Sequence, residues 1–197
     1  MQLSLDHLAL PARIRPDRPM TDEELFEFCA ENDFYRIERE PNGELSVMTP
    51  SGGFTSNKNV YLSRVLDEWA EKFGGMAFDS TGGFLLPDGS MRSPDAAWMP
   101  YEAIAGISDE QMAKFVPAAP YFIIELRSPS DSLAKLQAKM EAWIANGVQL
   151  GWLVDPFRKV VTIYRPGQKP EEQEGHTSVF GEGLLASFEL PLARIWA

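Results

Sequence analysis

The chain has one cysteine, Cys29, and two histidines, His7 and His176. One cysteine cannot close an internal disulfide, and with only two histidines beside it an ordinary zinc site is excluded. Cys29 lies in an amphipathic segment with Phe26 and Ala30, and reads as a small buried hydrophobe rather than a nucleophile. Neither histidine has a Ser/His/Asp-like setting and no Gly-x-Ser-x-Gly occurs, which argues against serine-hydrolase chemistry. No run approaches 18 apolar residues, and Asp6, Arg13, Arg15, Asp17 and Arg18 interrupt the N-terminal segment. Neither a membrane span nor a signal core is expected, so the reading is of a cytoplasmic protein with no membrane partner. Positive charge is also scarce, with 18 Lys and Arg against 29 Asp and Glu and a net charge of −11. Bulk charge therefore repels phosphate, and any nucleic-acid site has to be locally neutralised or metal-loaded.

What is present is enough for a core, since 44% of the 197 residues are hydrophobic. Pro11, Pro16 and Pro19 predict an extended N-terminal arm over residues 1–20, followed by a single domain over 21–197. Thr21 and Glu24 form a capping box ahead of Leu25, Phe26, Phe28 and Cys29, which predicts a short helix. FYRIERE and ELSVM flank Pro41-Asn42-Gly43, a hairpin signal in which both central residues tolerate positive φ. Leu62, Val65, Leu66, Trp69 and Phe73 share one helical face within a helix expected from Asn57 to Gly74. GGFLL and MRSPDAAWM enclose Pro87-Asp88-Gly89-Ser90 as a second hairpin, and YFIIEL reads as a strand buried on both faces. A helix from about Ser132 to Asn146 stops at Gly147, and LGWLV and VVTIYR then enclose an Asp155-Pro156 turn. The tail from His176 holds one or two short strands. The fold class is α/β, an α+β mixed sheet with flanking helices.

The informative feature is a pair of carboxylates on neighbouring strands: Asp95 in SPDAAW and Glu125 at the end of YFIIEL. A glutamate after so apolar a run is costly to bury unless a cation or metal stands beside it or it is protonated. Two such carboxylates suit a hard divalent cation, Mg²⁺ or Mn²⁺. Strand alternation puts Arg127 on the face of Glu125. On the following helix, Leu133, Leu136, Met140, Trp143 and Ile144 form the buried stripe, and Lys139 lies roughly 90° from its centre. Lys139 can thus send its amine toward Glu125, whereas Lys135 is solvated and Gln137 flanks the opposite side. Ser51-Gly52-Gly53 lacks the ending of a phosphate loop. The tryptophans at 69, 98, 143 and 152 fit packing positions.

SPDAAW, FIIELRSPSDS and KLQAKMEAWIANGVQLGWLVDP together resemble the Uma2 family of restriction-endonuclease-like proteins, in the PD-(D/E)XK nuclease superfamily. The similarity runs from about Met20 to Gly167. It implies a restriction-endonuclease-like core and a Mg²⁺- or Mn²⁺-dependent endonuclease hydrolysing phosphodiester bonds, of DNA rather than RNA. By the family pattern Pro94-Asp95 is the proline-aspartate motif, Glu125 the acidic member of E-X-K, and Lys139 the lysine such proteins carry on the next helix. Asp95, Glu125 and the Leu126 carbonyl would hold the metal, and Lys139, with its pKa lowered by desolvation, would orient or deprotonate a water. Arg127 stands where the motif has lysine; it cannot act as a base but can stabilise charge on phosphoryl oxygens. Glu44 matches an acidic residue frequent in the family and is an accessory candidate. A homodimer is implied by analogy with double-strand cutters.

Two functions remain open from the sequence. One is the nuclease, whose DNA would have to be drawn in by Arg36, Arg39, Lys58, Arg64 and Lys72 gathered by a partner or dimer. The other is an interaction or regulatory module on the same fold, favoured by Arg127 and by the acidic surface.

Overall fold

The computed structural model describes residues 10–197, so His7 lies outside the described residues. Thr21 caps the first helix, α1 (Asp22–Glu31), as the capping box requires. Its hydroxyl accepts from the Glu24 amide, and the Glu24 carboxylate accepts from the Thr21 amide. Thr21→Ala removes one acceptor and is expected to cost about 1 kcal/mol, read as a lower urea midpoint with an unchanged slope. Leu25 and Phe28 carry the buried face of α1, and Cys29 is half-buried. Burial pushes the Cys29 thiol up to about 11, which leaves it unreactive near neutral pH.

Residues 1–9 of the expected arm lie outside the described residues, and the rest of it joins a sheet. Its residues Ala12–Ile14 form β1, antiparallel to β3 (Leu45–Met48). β3 also pairs with β2 (Arg36–Arg39), giving the hairpin expected around Asn42-Gly43. Its turn differs from the expectation, because only Gly43 takes a positive φ, +81°. The Gly43 amide donates to the Glu40 carbonyl at 2.9 Å. Pro41, with φ fixed by its ring, sets a turn in which Asn42 keeps a negative φ.

The second helix, α2 (Gly53–Phe73), starts at Gly53 rather than Asn57, and Thr55 and Asn59 in its first turns are buried. Packing, not the apolar pattern, holds that end. Leu62, Leu66 and Trp69 make the buried face as expected, whereas Phe73 is 60% exposed and stacks on Trp69 at 5.5 Å.

The segment read as one strand, MRSPDAAWM, is two. After β4 (Met76–Asp79), β5 (Phe84–Leu85) pairs with β6 (Met91–Arg92); Ser93-Pro94 then interrupts the ladder, and β7 (Ala96–Met99) enters a different sheet. β4 was not foreseen and pairs with β7. The connection to β8 (Phe122–Leu126) carries two short helices, α3 (Tyr101–Ile104) and α4 (Asp109–Met112). Next come α5 (Leu133–Ala145), β9 (Leu150–Asp155), β10 (Val160–Tyr164) and an unforeseen acidic strand, β11 (Glu171–Glu174). The tail forms β12 (Ser178–Phe180), β13 (Glu189–Pro191) and α6 (Ala193–Trp196).

A five-stranded sheet has the order β1-β3-β2-β6-β5, and a six-stranded sheet the order β11-β10-β9-β8-β7-β4. In the larger sheet only β8 and β9 run parallel, as expected for strands joined through a helix. On one face Leu62, Leu66 and Trp69 of α2 pack with Phe122, Ile124 and Trp152. On the other, Met140 and Trp143 of α5 pack with Ile123 and Leu153. The result is the mixed sheet with helices on both faces that the order of elements implied. No helix among the described residues is long and apolar enough to cross a membrane.

Candidate active site

The interruption at Pro94 places the first carboxylate. β7 pairs with β8 in the register Ala96↔Ile124, and just ahead of that pair the Asp95 amide also donates to the Ile124 carbonyl, at 3.0 Å, so that two residues face one. Asp95 therefore stands at the end of the ladder beside Glu125, near enough for the two carboxyls to act on each other. Both are buried, Asp95 at 5% and Glu125 at 2% exposure, so each has to find its partners inside the protein.

Asp95 takes three. Arg36 donates from Nη1 to Oδ1 at 3.2 Å, Asn59 from Nδ2 to Oδ1 at 3.1 Å, and the Leu126 amide to Oδ2 at 2.8 Å. The part of Leu126 that meets Asp95 is its N–H. Glu125 takes two partners, both at Oε1: Trp143 Nε1 donates at 2.9 Å and Lys139 Nζ is ion-paired at 2.9 Å. Among the described residues Oε2 receives no donor.

Lys139 is shared. Its Nζ also donates to Glu38 Oε1 at 2.8 Å and to the Ser93 carbonyl at 3.4 Å. Glu38 accepts from the Ser93 amide at 3.1 Å and has Arg36 and Arg92 each at 3.9 Å. Arg36 also donates to the Ser93 carbonyl. Glu38, Asp95, Glu125, Arg36 and Lys139 thus form one cluster drawn from both sheets and α5. Asn59 ties α2 to it through Asp95.

The electrostatics separate the acids. Burial pushes the Glu125 carboxyl up, and the neighbouring Asp95 adds to the push against Lys139 and Arg36. Burial also disfavours ionised Glu38, but Lys139, Arg36 and the hydrogen bonds from Lys139 and the Ser93 amide outweigh it and hold that carboxyl low. For Lys139, burial opposes the charge, and Glu125 and Glu38 outweigh it and raise the amine above its ordinary value. The lowering expected for Lys139 is therefore reversed: it is a held cation, suited to orienting a water rather than deprotonating it. Arg36 is likewise kept charged, burial opposing and Asp95, Glu38 and Glu125 prevailing.

Three of the expected site residues, Asp95, Glu125 and Lys139, come together, and Lys135 is exposed as read. Two do not join them. Arg127 shares the face of Glu125, but it lies past the end of β8, where its Nη1 donates to Asp155 Oδ2 at 2.8 Å and its guanidinium stands 5.5 Å from the Phe157 ring centre. Register explains this: with Leu126 opposite Val154, the next pair along the parallel strands is Arg127 and Asp155. Glu44 lies at the turn end of the β2–β3 hairpin and is bound by Arg15 at 2.6 Å, with Arg13 at 3.6 Å. Arg36 is at the opposite end of that hairpin.

The residues the sequence reading missed are Glu38, Asn59 and Arg36 in its role at Asp95; Trp143 was read as packing alone. Alternation in RIERE does put Arg36, Glu38 and Glu40 on one face, but a polar hairpin face normally meets water. Arg39 binds Asp22, Lys58 the Ile195 carbonyl, and Arg64 is paired with Glu68.

A hard divalent cation fits this donor set. Among the described residues no three Asp, Glu, His or Cys side chains form a ready cage. Mg²⁺ does not need one, because it keeps several waters and takes one or two carboxylates. Asp95 and the unfilled Glu125 Oε2 would supply those.

Two buried carboxylates on adjacent strands thus stand together on a mixed α/β fold, with a lysine from the next helix against one of them. The family model described as "Uma2: Putative restriction endonuclease" matches residues 22–193, and the chain belongs to that family. Among solved structures, one described as a putative nuclease from Anabaena variabilis superposes with a TM-score of 0.72 at 21% identity, over 90% of this chain and 98% of that one. The DrdV–DNA complex gives a TM-score of 0.38 at 13% identity, over 59% of this chain and 10% of that one, too slight a likeness to bear on function. No curated protein matches the sequence.

Proposed function

We propose that the protein is a Mg²⁺- or Mn²⁺-dependent nuclease that hydrolyses phosphodiester bonds, of DNA in preference to RNA. The observation that carries this reading is the meeting of Asp95, Glu125 and Lys139 in one buried cluster. Membership of a family described as restriction endonucleases supports it and favours DNA. Asp95 and Glu125 would hold the ion. Bound there, a divalent cation polarises a phosphodiester oxygen and makes water more acidic. Lys139 directs its ammonium at the oxygen of a water beside Glu125, and Glu38 keeps that ammonium in place. With Arg36, Arg39, Lys58 and Arg64 engaged within the chain and a net charge of −11, nucleic-acid binding is expected to be weak and steeply salt-sensitive.

Calorimetric titration of Mn²⁺ at low salt tests the metal reading. Wild type should bind, and the double variant Asp95→Ala, Glu125→Ala should not. Absence of binding in both would favour the other reading, an interaction module on the nuclease fold. One observation speaks for that module: Arg36 and Lys139 already set a cation against each carboxylate.

Arg127 enters as a structural residue. Arg127→Gln leaves Asp155, 3% exposed at its side chain, without its cation. A loss of about 1–3 kcal/mol in stability is expected with Mn²⁺ affinity unchanged, and a loss of affinity would return Arg127 to the site.

A further inference from the structure

Asn59 is a polar residue on a packed helix face, 7% exposed, and half of its amide is explained. Its Nδ2 donates to Asp95 Oδ1 at 3.1 Å. Its Oδ1 is buried and has no hydrogen-bond partner among the described residues. The orientation is fixed chemically, since exchanging O and N would set two acceptors against each other at Asp95. A buried carbonyl of this kind is costly to leave unpaired, and natural proteins rarely do so.

The unpaired oxygen adjoins the proposed metal ligands. The O and N of one amide are about 2.3 Å apart, so Asn59 Oδ1 lies within about 5.4 Å of Asp95 Oδ1. A path from a carboxylate oxygen through an ion to a water and on to an acceptor spans up to about 7 Å. Glu125, next in sequence to the Leu126 whose amide holds Asp95, carries the other oxygen without a donor, Oε2. Two unfilled oxygens, one from α2 and one from β8, therefore neighbour a single aspartate.

We propose that Asn59 Oδ1 is the third protein oxygen of a divalent-cation site, accepting a hydrogen bond from water in the shell of an ion held by Asp95 and Glu125. This rests on the metal-dependent reading above. The helix α2 thereby becomes part of the site, and Asn59 a positioning residue in it. A plainer arrangement is a structural water joining Asn59 Oδ1 to Arg36 Nε, which is also unpartnered. Under that arrangement Asn59 is irrelevant to the ion.

The test is Mn²⁺ affinity by calorimetry on the full chain, in wild type, Asn59→Ala and Asn59→Asp, with thermal unfolding in EDTA to establish that each is folded. Asn59→Ala should weaken Mn²⁺ binding about 10-fold, the scale of losses when a group holding the metal's surroundings is removed. Asn59→Asp is nearly isosteric and keeps an oxygen at the same place while losing the Nδ2 donor, and it should bind at least as tightly as wild type. Unchanged affinity in Asn59→Ala overturns the proposal, because a residue that only restrains Asp95 through Nδ2 competes with the ion. Equal losses in both variants overturn it too, since the donor and not the oxygen would then matter. If Asn59→Ala does not fold, Asn59→Asp decides: retained affinity supports the assignment and a 10-fold loss rejects it. Failure of wild type to bind Mn²⁺ is a separate result, and it removes the metal reading itself.

Discussion

Lys139→Met is expected to lower stability by about 3–5 kcal/mol at pH 7.5 and to recover part of that loss at pH 5. The substitution keeps the stem of the side chain in its packing and removes one charge. Glu38 and Glu125, 4% and 2% exposed, are then left in the same cluster without the ammonium they share. In the wild type their contributions oppose each other. Glu38, held low, adds stability above its unfolded value of about 4.3 that is lost as pH falls. Glu125, pushed up, adds stability at low pH that is lost as pH rises through its folded value. Without Lys139 both carboxyls shift upward, so both contributions are present at low pH and fade as pH rises. Urea unfolding at the two pH values checks this, and a variant that tracks the wild-type slope would show that Lys139 is not what keeps Glu38 ionised.

The largest effect on activity is expected from Asp95→Asn and Glu125→Gln. Each preserves shape and removes a negative charge from the pair that would hold the ion. Loss of one preorganised electrostatic group commonly costs about 10²–10³-fold in rate, and a ligand to a required metal belongs at the upper end or beyond. Nicking of supercoiled plasmid in Mn²⁺ at low salt should therefore fall at least about 10³-fold in either variant. Arg127→Gln, turned toward Asp155, serves as the control that keeps activity. Equal nicking by wild type and Asp95→Asn would assign any observed cleavage to a contaminant or to another site.

Much of this was readable from residues. The helix wheel placed Lys139 beside the core stripe, and it does reach Glu125; Pro94-Asp95 and Glu125 were read as strand neighbours, and the ladder at Ile124 makes them so. Arg127 shows where such reading stops. Its face was correct by alternation, but the partner waiting there, Asp155, is set by the register of a parallel strand that joins through α5. Glu38 and Asn59 were missed for a related reason. Each belongs to an element that looks ordinary locally, and only the packing of the five-stranded sheet and α2 against β7 gives them a buried polar setting. Glu44 lies on the same hairpin as Glu38 but at its turn end, paired with Arg15 and apart from the cluster.

The six-stranded sheet ends differently at its two sides. At β11 the border residues are Glu171, Glu172, Gln173 and Glu174, three of them acids, with Arg165 and Arg158 of the same chain paired to the first two. A further strand laid there would have to strip water from those charges. At β4 the border is Met76, Ala77, Phe78 and Asp79, beside the exposed rings of Phe73 and Tyr101. Growth by strand addition is therefore open on one side only. Were two copies to meet edge to edge, β4 would have to face β4 about a twofold axis, leaving an acidic strand at each outer border and no place for a third.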